Sequence, residues 1–142
     1  MAWEVPVLDL PGQIAGEDFS SVGALTGLNS TGQFLFVKMA PGINDTVLHC
    51  SSAKDRPVGV SQGNSVKGDA LQVRAIGVSK IVAGAAVAAG DPVGTDAAGR
   101  CVKKAETATG ANYGEFVAGL VLEGVVAAGS VATVLLQSPY RI

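Results

Sequence analysis

The chain has 142 residues, a formal net charge of −2, and 48% hydrophobic against 15% charged residues. This balance argues against a nucleic-acid binder, which would carry a basic patch or stripe, and the length suits one domain that buries about two-thirds of its unfolded surface. Nineteen glycines against six prolines indicate many tight turns rather than collagen or a disordered tract, and with aromatics at 5% the core must be built from Val, Ala, Leu and Ile. So lightly packed a core gains from oligomerisation or from docking on something larger.

In chain order, residues 1–22 alternate apolar residues with prolines: Trp3, Val5, Pro6, Val7, Leu8, Leu10 and Pro11. Pro6 and Pro11 block a helix and demote any strand to an edge. The segment therefore reads as an extended N-terminal arm, with residues 23–142 as the domain proper. Asp18-Phe19-Ser20-Ser21 is a candidate for one short turn of helix. A strand is expected over Gln33–Met39, ended by Ala40-Pro41-Gly42, and another over Thr46–Cys50. Ser51–Arg56 is a polar loop that Pro57 closes. Leu71, Val73 and Ala75 then alternate with Gln72, Arg74 and Ile76, the period of a strand, which carries on through Val78–Val82. Ile81–Ala89 is a helix candidate because alanine favours helix, but Gly84 and Gly90 weaken it. Val93–Arg100 is a strand and hairpin turn, Cys101–Ala105 returns, and Glu106–Tyr113 is a small-residue loop. A last hairpin ends at Gln137, leaving Ser138–Ile142 as a tail. Short strands with glycine turns at this spacing point to an all-β barrel or sandwich.

One device recurs three times: Val66-Lys67-Gly68-Asp69-Ala70-Leu71, Val87-Ala88-Ala89-Gly90-Asp91-Pro92-Val93 and Val126-Ala127-Ala128-Gly129-Ser130-Val131. Each places a glycine turn before a short strand, with a further glycine upstream at Gly63, Gly84 or Gly124. Gly68, Gly90 and Gly129 are the turn positions expected to need positive φ or close backbone approach. The device also decides the reading of Phe116–Leu136, which is long and apolar enough for a membrane span. Glu123 near its middle would cost about 2.5 kcal/mol or more in lipid, and Gly119, Gly124 and Gly129 recur every five residues rather than every four. Two buried strands around a turn are expected instead, and no membrane partner.

Little in the sequence suggests catalysis. His49 is the only histidine, and its neighbour Cys50 faces the other way in a strand, so the two cannot act as base and nucleophile. Asp45, Asp55, Asp69, Asp91, Asp96, Glu115 and Glu123 read mostly as turn residues, and Lys103-Lys104 as a solvated pair. Gly94–Gly99 lacks the Lys-Ser/Thr and helix of a phosphate loop. Cys50 and Cys101 read as small buried apolar residues; a bridge between them is left open. Met1-Ala2-Trp3-Glu4 lacks the basic start of a secretory signal, so a reducing cytoplasm is expected. No cofactor, no metal and no enzymatic activity are expected.

Two family resemblances bear on function. Val66-Lys67-Gly68-Asp69 resembles a turn common in lipoyl and biotinyl carrier domains, and Val37-Lys38-Met39 faintly resembles their modified-lysine turn. There, however, the lysine tops a tight hairpin, whereas Lys38 ends an apolar strand. Residues 56–137 more closely resemble phage capsid cement, or head-decoration, proteins. That likeness rests on Gly77–Gly94 with its Ala-Ala-Gly-Asp-Pro-Val run, on Ala98-Gly99-Arg100, on Gly119–Gly124 and on Ala128–Leu136. It implies a small β-barrel or β-tulip-like domain that assembles in the host cytoplasm onto the outer surface of an icosahedral head. It further implies a homotrimer at three-fold positions, bound to the major capsid protein and stabilising the shell. On this reading Trp3, Val5, Val7, Leu8 and Leu10 form a capsid-binding arm, because apolar side chains on an extended segment need a cover. The carrier domain is the alternative, and a small hydrolase using Cys50 or His49 a third.

Overall fold

The computed structural model describes residues 8–20, 32–107 and 109–142. Among them the fold is all-β, with no helix. The strands are β1 (Leu8–Leu10), β2 (Ile14–Ala15), β3 (Phe36–Met39), β4 (Thr46–His49), β5 (Gly59–Ser61), β6 (Val73–Val82), β7 (Pro92–Thr95), β8 (Cys101–Lys103), β9 (Phe116–Glu123) and β10 (Val131–Arg141). They form a sheet in the order β2-β4-β3-β5-β6-β10-β9-β7-β8, with β1 also paired to β6. Every pairing is antiparallel except β2 with β4. The sheet is not closed: the path ends at β2 and β8 rather than completing a barrel ladder.

Two clusters of buried side chains fill the interior, and β3 feeds both. Phe36 packs with Val60, Ile81, Val93, Val121, Val134 and Leu136. Leu35 and Val37, on the opposite face, pack with Phe19, Val47, Leu71 and Val73. Each large side chain so buried contributes about 1.5–3 kcal/mol relative to exposure. The strand expected from Gln33 starts later, because Phe34 has φ 63°. Its N–H donates to the Ser61 carbonyl at 2.8 Å and its carbonyl accepts from Val82 N–H at 2.9 Å. Phe34 thereby ties β5 to the end of β6 while its ring packs against both clusters.

Three other expectations change. The helical turn at Asp18–Ser21 is absent from its described part; Asp18 Oδ1 instead accepts from Ser20 N–H at 3.0 Å in a local side-chain turn. The Ile81–Ala89 stretch leaves β6 at Val82 and continues through single bridges, Ala83 to Cys101 and Val87 to Val125. Ser138–Arg141 is not a tail but the end of β10, with Tyr140 opposite Val117 and Arg141 opposite Phe116. Pro139 is tolerated there because the register shifts between Leu136 and Tyr140, which removes the ladder position its missing N–H would have filled.

Candidate interaction surface

Several titratable groups are engaged in the core, in ion pairs or in hydrogen bonds to backbone. Cys50 and Cys101 are free and buried, and burial pushes both thiols up to about 12, far from a thiolate nucleophile. His49 Nδ1 lies 2.5 Å from Glu17 Oε1, which also accepts the His49 backbone N–H at 2.6 Å. Burial alone would raise the Glu17 carboxyl, but these bonds with the His49 and Lys38 charges hold it below the usual range. Asp55 Oδ2 gathers the N–H groups of Ser51 and Ser52 and the Lys38 ammonium, at 2.9–3.0 Å. Asp96 caps its hairpin by accepting from Ala98 and Arg100 N–H and from Arg100 Nε. No group of His, Cys, Asp and Glu among the described residues could hold a metal ion. Lys103 and Lys104 are not the solvated pair expected. Lys103 is exposed beside Asp91, whereas Lys104, the residue after β8, is fully buried against Glu115; strand alternation from the buried Cys101 would have turned Lys103 inward instead, so the inward turn of Lys104 comes where the strand ends.

The repeated device is one turn used three times. Asp69, Asp91 and Ser130 each donate their N–H to the carbonyl three residues back, at Val66, Ala88 and Ala127. In each, the third residue is a glycine with the φ a type II turn requires there: 91° at Gly68, 89° at Gly90 and 86° at Gly129. A Cβ at any of the three would meet nothing within 4 Å, so the backbone angle alone explains the glycine. The second and third copies interlock: Gly90 N–H donates to Val121 at 2.8 Å and Gly129 N–H to Ala83 at 2.8 Å. Val87 and Val125 exchange a pair of bonds between them. The first copy instead receives the N-terminal segment, with Gly68 N–H on the Ala15 carbonyl and Ala15 N–H on the Asp69 carbonyl.

Of the arm residues, Trp3, Val5 and Val7 lie outside the described residues. Leu8 and Leu10 belong to β1, laid antiparallel on the chain's own β6, where Asp9 pairs with Arg74 and accepts from Gln72. Leu8 is half exposed beside Ile76, while Leu10 packs against the second core cluster. Farther along, Ala15 and Phe19 are fully buried in that cluster. The outer face of the long strands carries an apolar row that the sequence pattern did not single out. Val78 on β6, Leu135 on β10 and Leu120 on β9 are directly opposite one another and 37–38% exposed. Ile76 and Leu122 extend it. The alternation held the clue, since Ile76 and Val78 of β6 and Leu120 and Leu122 of β9 are apolar at outward positions of their strands.

No protein-family model matches the sequence, and no curated protein matches it. Among solved structures, the fold is similar to the N base of the head fiber gp8.5 of bacteriophage phi29, with a TM-score of 0.63. The two share 16% identity, and the match covers 96% of this chain and 98% of that one.

Proposed function

We propose that this chain is a structural protein of a phage head, a decoration or cement protein seated on the outer surface of the shell. The observation that carries the reading is the end-to-end likeness of its fold to the base of a phage head fibre. The resemblance of residues 56–137 to cement proteins rests on sequence motifs and points the same way. The chemistry agrees: both thiols are buried, Asp96 caps a turn, and Asp55, Glu17 and Glu115 are held in ion pairs. The carrier alternative is disfavoured by Lys38, whose ammonium is tied to Asp55 and Ser51 at 3.0 Å rather than presented on a hairpin tip.

On this reading the subunits are trimers at three-fold positions that clamp neighbouring copies of the major capsid protein. The row Val78–Leu135–Leu120 and the arm residues Trp3, Val5, Val7 and Leu8 are the surfaces to be covered. Burial of apolar surface yields about 25 cal/mol per Å² before ordering costs, and many weak contacts on one shell add up. The test is to mix the purified protein with expanded shells of the major capsid protein from the same phage genome. Co-sedimentation and reconstructed density at three-fold sites are expected; protein left in the supernatant overturns the role. A mass near 14.2 kDa that carries no added biotinyl or lipoyl group, with a negative biotin and lipoate blot, separates it from the carrier.

A further inference from the structure

Lys104 follows β8 and is 1% exposed, deeper than any other charged side chain among the described residues. Its Nζ donates to Glu115 Oε1 at 2.5 Å, and the same oxygen accepts Asn112 Nδ2 at 3.1 Å. The Asn112 carboxamide is fixed at its other end too, because Oδ1 accepts the Ala105 N–H at 2.8 Å. The Glu115 N–H in turn donates to the Asn112 carbonyl at 3.0 Å. The lysine reaches this position only because residue 94 is glycine. A Cβ there would stand 3.0 Å from Lys104 Cε and closer still to the Phe116 carbonyl. One carboxylate oxygen thus gathers a buried amine and a side-chain amide whose orientation is set from both sides.

We propose that Lys104 and Asn112 are joined in an intramolecular amide bond, with Glu115 carrying the protons. The ammonium passes a proton to the Glu115 carboxylate, and the freed lone pair on Nζ attacks Cγ of Asn112. The Nζ–Cγ bond forms, the Cγ–Nδ2 bond breaks, and ammonia leaves. Of the three protons first on Nζ, one stays on the new amide, one departs on the ammonia and one remains on Glu115. No oxidant, metal or cofactor is consumed. The driving logic is burial: an ion pair held out of water becomes a neutral acid beside a neutral amide, which removes the desolvation cost of two charges. Burial would by itself raise the Glu115 carboxyl, but the bonds from Lys104 and Asn112 and the Lys104 charge hold it below the usual range. The resting group is therefore the carboxylate that can accept the first proton. The bond would staple the end of β8 to the segment that enters β9, closing the 105–111 loop. It does not depend on the proposed role at a phage head.

The experiment is the denatured intact mass of the full chain. The wild type is expected to be lighter than its sequence mass by one ammonia, about 17 Da. Trypsin should fail to cut after Lys104, and fragmentation should show residues 104 and 112 in one branched peptide. Glu115→Gln and Lys104→Arg should restore the sequence mass. Asn112→Ala, at a half-exposed position that leaves the Lys104–Glu115 pair in place, should restore it in a chain that still folds. A wild type at full sequence mass after long incubation overturns the proposal. So does a loss of ammonia that persists in Lys104→Arg, since Asn112 would then have cyclised onto its own backbone.

Discussion

The N-terminal and C-terminal halves of the sheet are held by different means. In the C-terminal half the long strands β6, β9 and β10 carry the ladder, β6 and β10 pair over six residues, and backbone bonds tie the second turn to β9 and the third to the end of β6. Before β6 the strands are short, and side chains supply what ladders do not. Ser61 Oγ accepts the Leu35 N–H at 3.1 Å and donates to the Gly32 carbonyl, Glu17 holds the end of β4, and Asp55 gathers the loop after it. Where repeated turns set the register, small apolar residues suffice. Where they do not, individual polar and aromatic residues must specify the path.

The largest effect should come from Phe19, fully buried in the N-terminal cluster with Leu35, Val37, Val47, Leu71 and Val73. Phe19→Ala is expected to cost about 3–5 kcal/mol, at least matching Leu136→Ala in the C-terminal half at about 2–5 kcal/mol. Denaturant unfolding measures both. A loss below about 1 kcal/mol for Phe19→Ala would mean that the segment before β3 is appended rather than built in, and the contrast between the halves would disappear.

The three turns allow a finer comparison. Gly68→Val, Gly90→Val and Gly129→Val should each cost more than ~1 kcal/mol, because a β-branched residue is forced to positive φ. With no atom within 4 Å of the added Cβ in any of them, the three costs should be alike. Thermal unfolding of the single variants checks this. An unchanged melting temperature for Gly90→Val and Gly129→Val refutes the turn reading. A markedly larger cost for those two than for Gly68→Val would show that their interlock adds to the backbone term.

The sequence made the C-terminal half far more legible than the N-terminal half. The period-two run through Leu71, Val73 and Ala75, the hairpin around Asp96–Gly99 and the turns at Gly90 and Gly129 carry local signals, and the elements lie close to where those signals put them. The C-terminal end misled, because the segment read as a tail continues β10 past Pro139 through a register shift. Phe34 misled for the opposite reason: a bulky residue at positive φ is disfavoured locally, and only its contacts with both clusters hold it there. Lys104 could not be told from Lys103, since strand alternation from Cys101 would turn Lys103 inward, and it is the end of β8 at Lys103 that lets Lys104 turn in instead. Asn112, Glu115 and Lys104 come together through a loop whose sequence has no period.

Acid should weaken both halves, since Glu115 in the C-terminal half, which burial alone would raise, is also held below its usual range by Lys104 and Asn112. The Glu17 and Asp55 carboxyls are each held below their usual range: burial opposes this, but bonds with His49 and with Lys38 respectively outweigh it. A depressed folded value means that their stabilisation is complete above the ordinary carboxylate range and is lost as the pH falls through it. Glu17→Gln should therefore lower stability near neutral pH and flatten its fall on acidification. Stability measured against pH by circular dichroism checks the sign. An unchanged slope in Glu17→Gln would show that the pair with His49 contributes nothing to the N-terminal half.

The smallest effect on stability should come from the residues ahead of β1. Leu8 and Leu10 are laid on β6 and Phe19 is buried, so a cut that spares Leu8 removes none of the described residues of either core cluster. Deleting residues 2–7 is expected to shift the melting temperature by no more than a few degrees, the size of a change of about 1 kcal/mol or less. If Trp3, Val5 and Val7 cover part of the capsid surface, the same deletion should weaken shell binding strongly, because a buried tryptophan is a frequent hot spot. Trp3→Ala alone should reproduce most of that loss. Co-sedimentation of the truncated protein with expanded shells separates the outcomes. Full binding would assign attachment to the sheet, with the apolar row Val78–Leu135–Leu120 as the next surface to mutate. Loss of folding would extend the side-chain-dependent region of the N-terminal half to the start of the chain.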